Sequence, residues 1–158
     1  MCNLEVADMD NRIEKRIELK AAVSRVWRAL TDHREFGQWF RVEIDAPFVA
    51  GQPSSGHFTV PGYEHLRWQV VIQKMEPERL FSFTWHPNAI DPQQDYSGET
   101  PTLVEFTVQP TAGGTLLRVT ESGFENLPAA RRAEAFRMND GGWSAELRNI
   151  ETHVARNQ

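Results

Sequence analysis

The last stretch of the chain, Pro128 to Arg156, sets the strongest constraint on what the sequence can become. Apolar residues recur at Phe136, Trp143, Leu147, Ile150 and Val154, in steps of seven, four, three and four. That spacing puts them on one face of an α-helix. Arg131, Arg132, Arg137, Glu146, Arg148 and Glu151 fall mostly elsewhere on the wheel, where water solvates them. Pro128 suits a first helical turn, since a first-turn N–H has no intrahelical partner to lose. Two features depart from a plain core helix. Asp140 lies on the apolar stripe, four after Phe136 and three before Trp143. Gly141-Gly142 follows, at a cost of roughly 1 kcal/mol per glycine relative to alanine. A helix that accepts both is expected to bend, to lie close to another backbone, or to line a cavity.

Upstream, the pattern changes period. Ile13, Ile17 and Leu19 alternate with charged residues and predict a half-buried first strand, with Lys15 breaking its apolar face, as at an edge or rim. Two short helices follow, one capped by Ser24 and carrying Val26, Trp27 and Leu30, the other carrying Phe36, Trp39 and Phe40, with Asp32-His33 between them. From Arg41 to Ser122, period-two segments alternate with turn signals. The clearest are Trp68-Val70-Ile72, Phe81-Phe83-Trp85, Val104-Phe106-Val108 and Leu117-Val119-Glu121. Hairpin-length connections predict an antiparallel sheet with one apolar face. The expected fold is α+β: a curved antiparallel sheet of about six or seven strands wrapped around the long C-terminal helix, with two short helices after strand one. Residues 1–11 are expected to fray and 12–156 to form a single domain. The segment from Pro87 to Pro101 is long for a hairpin and is expected to form a mobile rim.

Composition narrows the partners. A net charge of -5 gives no general attraction to nucleic acid or anionic lipid. No apolar run reaches membrane-spanning length and no leader pattern opens the chain, so a cytoplasmic location is expected. The single cysteine, Cys2, excludes an intrachain disulfide and a multi-cysteine metal site. His57, His65 and His86 lack ligand-type spacing, so neither a metal nor a cofactor is expected.

The order of elements, together with Val26-Trp27-Arg28-Ala29-Leu30-Thr31-Asp32, Trp39-Phe40, Glu76-Pro77-Glu78-Arg79-Leu80 leading to Phe83-Thr84-Trp85, Gly114-Thr115-Leu116-Leu117, Glu121-Ser122-Gly123-Phe124 and Gly142-Trp143, resembles the helix-grip (Bet v 1-like, START-type, SRPBCC) superfamily. Within it the chain looks like the branch related to the C-terminal domain of the Hsp90 ATPase activator. These stretches are spread from Ile13 to Val154. The resemblance implies a helix-grip fold and admits carriers of lipids and small molecules, aromatic cyclases and protein partners. Hsp90 activation is not among the expectations, since the eukaryotic activator uses a separate chaperone-binding domain.

The aromatics Phe58, Trp68, Phe81, Phe83, Trp85, Phe106 and Trp143 are expected to face one interior, and Trp39 to join them from the second short helix. Such a set either packs as a core or lines a cavity for a hydrophobic or aromatic small molecule. Parity puts Glu121 on the same face, and helical spacing adds Asp140. Lone buried carboxylates are costly unless paired. Each is therefore a strand-end or loop-bracing residue, or a polar anchor for a ligand with Arg118 or Arg67 nearby. The leading expectation is a non-enzymatic small-molecule binding domain with Trp39, Phe58, Trp68, Phe83, Trp85, Phe106, Glu121, Asp140 and Trp143 as the ligand-binding candidates. One rival is an enzyme on the same cavity, a cyclase, dehydratase or hydrolase using Glu121, Asp140 or His86. The other is a protein-interaction or chaperone-related module with a filled interior. The oligomeric state is not legible.

Overall fold

A computed structural model describes residues 11–156, so the expected frayed terminus and Cys2 lie almost wholly outside the described residues. β1 (Arg12–Leu19) is followed by helices α1 (Val23–Thr31) and α2 (His33–Phe40). Then come β2 (Val42–Ile44), β3 (Pro53–Phe58), β4 (Arg67–Glu76), β5 (Leu80–Trp85), β6 (Thr102–Thr111) and β7 (Gly114–Ser122). A 3-10 turn at Phe124–Asn126 leads into α3 (Ala129–Arg156). The seven strands form one antiparallel sheet in the order β1-β7-β6-β5-β4-β3-β2. The α+β architecture is the expected one: the curved sheet embraces the long C-terminal helix, with the two short helices after the first strand.

Local chemistry explains the breaks. Asp32 ends α1 and caps α2, its Oδ1 accepting from the Arg34 and Glu35 N–H groups at 2.9 and 3.2 Å. Ser24, in contrast, lies inside α1, whose N-cap is Ala22 with no side-chain hydrogen bond. Gly37 lets α2 run against β2: a Cβ there would stand 2.2 Å from the Val42 carbonyl oxygen. At the far edge, β1 is a charged outer strand, as the interruption at Lys15 predicted. Lys15 pairs in register with the buried Val119, so it points toward the helix side and ends on Asp140 at 3.2 Å. An inward charge on an edge strand discourages further strand pairing.

The core lies between the sheet and the helices. Phe36, Trp68, Phe81, Phe83, Phe106, Leu117, Val119 and Ile150 are at most 1% exposed. Along α3 the buried positions are Ala135, Trp143, Leu147, Ile150, His153 and Val154. The helix is continuous through Gly141-Gly142, and nothing lies within 4 Å of a Cβ built at either glycine. Both glycines are exposed, so close approach to another backbone is not their reason. No helix among the described residues is long and apolar enough to cross a membrane.

Candidate functional site

At the β5–β6–β7 end of the sheet, register brings polar groups into the apolar layer. Glu121 on β7 pairs with Val104 on β6 and Ile13 on β1, and Trp85 on β5 pairs with Thr102 on β6. All lie on the face toward α3. Glu121 is 0% exposed. Its Oε2 accepts from Trp85 Nε1 at 2.8 Å, from Thr102 Oγ1 at 2.6 Å and from Asn139 Nδ2 at 3.2 Å. Its Oε1 accepts from Trp143 Nε1 at 2.8 Å and Asn139 Nδ2 at 2.9 Å. Every donor is neutral, and among the described residues no cationic side chain forms an ion pair with Glu121. Arg118 instead points to Glu14 at 3.7 Å, and Arg67 is exposed, so neither supplies the charge partner the sequence offered.

Two of the rings reach this carboxylate, and further rings pack against them. Trp85 and Trp143 lie 5.8 Å apart between centroids at 29°, and Phe40 stands 6.2 Å from the first and 6.1 Å from the second. The three rings pack on one another, with the two indole N–H groups turned onto Glu121. Phe106 touches Trp143 at 5.6 Å, Phe83 touches Trp85 at 5.3 Å, Trp68 touches Trp85 at 6.0 Å, and Phe58 meets Phe40 at 6.3 Å. Trp85 and Phe58 are half-buried, and so form the solvent side of the set. Trp39 is a brace within the core: its Nε1 donates to the Ala29 carbonyl at 2.8 Å and so ties α2 to α1. Trp68 is likewise satisfied by Ser54 at 3.0 Å.

Asp140 is not part of this wall. Its side chain is 46% exposed and pairs with Lys15 on the flank of α3. The residue that faces Glu121 is Asn139, one position earlier, because the inner stripe runs Ala135, Asn139, Trp143 and Leu147 at steps of four. Phe136 correspondingly turns away to pack on Phe124 at 5.2 Å. Asn139, Thr102 and Phe40, none of them a candidate from the sequence, join the cluster of polar and aromatic side chains here. The signals were faint: Asn139 lies one turn before Trp143, and Thr102 sits opposite Trp85 in a hairpin pairing.

The segment 86–101 leaves the sheet at Trp85 and returns at Thr102, so both of its anchors touch Glu121. Its body is strapped to α3 by Arg131. That guanidinium meets both Glu99 carboxylate oxygens at 2.7 and 3.0 Å, donates to the Pro87 and Asn88 carbonyls, and stacks over Tyr96 at 4.6 Å. Arg131, at 14% side-chain exposure, is thus a clamp rather than the solvated helix face expected of it. His57 sits on the outer face near Glu43, and His65 is exposed. No group of three metal-ligating side chains comes together among the described residues.

Two hollows, of about 250 and 290 Å³, open on the surface. The first lies between α2 and β2, the second between α2 and the end of α3, and neither is lined by Glu121, Trp85 or Trp143. Glu146 stands on α3, one turn beyond Gly142. Burial pushes its carboxyl up to about 8, although Asn149 and Arg41 oppose the shift.

The sequence model of the family described as "Activator of Hsp90 ATPase homolog 1-like protein" matches residues 20–155. Among solved structures, protein MLL2253 from Mesorhizobium loti superposes with a TM-score of 0.73 at 22% identity, covering 93% of this chain and 98% of that one. The Aha1 dimer from Colwellia psychrerythraea gives 0.67 at 19% identity, over 90% and 95%. DynU16, a protein of the dynemicin biosynthetic locus, gives 0.70 at 21% identity over 92% of this chain, which spans only 47% of DynU16. At these identities the structures speak for the fold alone. No curated protein matches the sequence.

Proposed function

The chain belongs to the family of Hsp90 ATPase activator homolog 1-like proteins, and from that premise we propose that it is a binding domain for a hydrophobic or aromatic small molecule, taken up between the sheet and α3 at Glu121. The observation that supports this reading is the caged carboxylate. A core of this size is more simply completed by an apolar side chain, since replacing buried charge by well-packed apolar groups is often neutral or stabilising. Here four side chains from β5, β6 and α3 are instead committed to hold one anion among aromatic rings. The same donors and rings would orient a polar ligand head while the aromatic layer takes its apolar body, the usual division of labour in a small-molecule site. Entry lies beside the half-buried Trp85 and Phe58, where the layer meets solvent. Uptake requires the rings to part.

The experiment is native mass spectrometry of the protein as purified from cells, with titration of hydrophobic probes followed by tryptophan fluorescence. The expected outcome is a retained mass or a saturable change that Trp143→Phe alters. The tight ring packing favours a second reading, a protein-interaction module with a filled interior. Absence of both a retained mass and probe binding would transfer the conclusion to it.

A further inference from the structure

We infer that the ligand taken up at Glu121 is an organic cation, an apolar molecule carrying an ammonium group; this rests on the binding reading above and specifies its chemistry. Three observations converge. First, the carboxylate is fully buried and receives only neutral donors, so its negative charge is solvated by dipoles and matched by no positive charge. Dipoles lower the cost of burial, while a cation arriving in this low-dielectric setting meets a strong, unspent attraction. Second, Phe40, Trp85 and Trp143 stand pairwise 5.8–6.2 Å apart around the same end of the interior. Ring faces attract a cation within about 6 Å of their centroids, and tryptophan does so best. Third, the donor set disfavours the opposite charge. An anionic head would meet Glu121 directly, and among the described residues no ion pair brings an arginine, lysine or histidine to Glu121 to offset that repulsion.

A neutral aromatic ligand would use the rings and leave the charge without a role. An ammonium uses both, and its methylene or aromatic body continues the contact toward Phe58 and Trp68. The rings stand closer than a bound ammonium needs, so the box widens on entry. The freedom for that lies at Trp85, which fronts solvent, and at the exposed Gly141-Gly142 turn just before Trp143. The net charge of -5 favours approach of a cation at low salt.

The test uses three probes with one skeleton: 4-phenylbutylammonium, 4-phenylbutanol and 4-phenylbutyrate, titrated calorimetrically into the intact protein. The expected order is ammonium, alcohol, carboxylate, with the ammonium at least tenfold tighter than the alcohol. Glu121→Gln is expected to bring the ammonium to within about twofold of the alcohol. Phe40→Leu, which leaves the carboxylate in place, is expected to weaken the ammonium more than the alcohol. Should Glu121→Gln fail to fold, the wild-type order and Phe40→Leu still decide. An alcohol that binds as well as the ammonium overturns the cation assignment and leaves the binding reading standing. If none of the three binds, the cation assignment falls, and without a retained mass in the native spectrum the binding reading falls with it.

Discussion

Trp143 donates its indole N–H to Glu121 at 2.8 Å, and this bond joins the middle of α3 to the last strand of the sheet. It also explains why one tryptophan serves both packing and polarity. The ring stacks against Trp85 and Phe106 while its edge satisfies a fully buried carboxylate. Trp143→Ala, which removes both, is expected to cost about 3–5 kcal/mol. Trp143→Phe, which keeps most of the ring and removes the donor, is expected to cost about 1 kcal/mol. Urea melts of the two variants measure the split, and equal losses would show that the lost donor, not the ring packing, carries the cost.

Asn139 and Asp140 exchange the roles their types would assign. Asn139→Leu removes two hydrogen bonds from a buried carboxylate and is expected to destabilise by about 1–3 kcal/mol. Asp140→Leu breaks a solvent-exposed ion pair with Lys15 and is expected to change stability by less than about 1 kcal/mol. A larger loss from Asp140→Leu than from Asn139→Leu would reverse the assignment.

Gly141→Ala and Gly142→Ala are each expected to stabilise the protein by about 0.5–1 kcal/mol. The added methyl meets nothing within 4 Å and the helix gains propensity. If the helix must yield at this turn to admit a ligand, the same variants bind hydrophobic probes more weakly while melting higher.

Arg131→Leu is expected to release the segment 86–101. The guanidinium holds Glu99 and two loop carbonyls at once, so its loss leaves a largely buried carboxylate without its cation. Amide hydrogen exchange in that segment is the measurement. Unchanged protection in the variant would show that the Asx turns at Asp91 and Asp95 hold the loop by themselves.

Glu146 gives the stability a pH slope. Burial raises its carboxyl from the usual 4.5 to about 8 in the folded protein. Over that interval the unfolded chain has released the proton that the folded chain keeps, so stability falls as pH rises from about 4.5 to about 8 and then levels off. Glu146→Gln is expected to flatten this part of the curve. The Glu35 carboxyl works in the opposite sense. Burial raises it, but His153, Arg28 and Arg25 together outweigh burial and hold it below its usual value. Its contribution is present above the ordinary carboxylate range and is lost at lower pH as Glu35 takes up its proton. A Glu146→Gln melt profile between pH 5 and 8 that matches the wild type would refute the first assignment.

Element order, the antiparallel sheet and the inward side of each strand follow from the residue pattern alone. A strand has two faces, and alternation leaves no third choice. For that reason parity is enough to place Glu121 beside Leu117 and Val119. The charged Lys15 likewise marks β1 as an edge, because a charge on the inner face is tolerated only where a partner can reach it from the rim. The phase of α3 is a different matter, settled by packing. Neighbouring helical residues differ by only about 100°, so a stripe through Trp143 can be continued to Asn139 at four residues back or to Asp140 at three. Charge type pointed to Asp140. The packing of Ala135 and Trp143 against the sheet, and of Phe136 against Phe124, selected Asn139. The cage around Glu121 is equally a product of tertiary structure. Its donors come from positions 85, 102, 139 and 143, and only strand register and helix rotation together bring their N–H and O–H groups to two carboxylate oxygens.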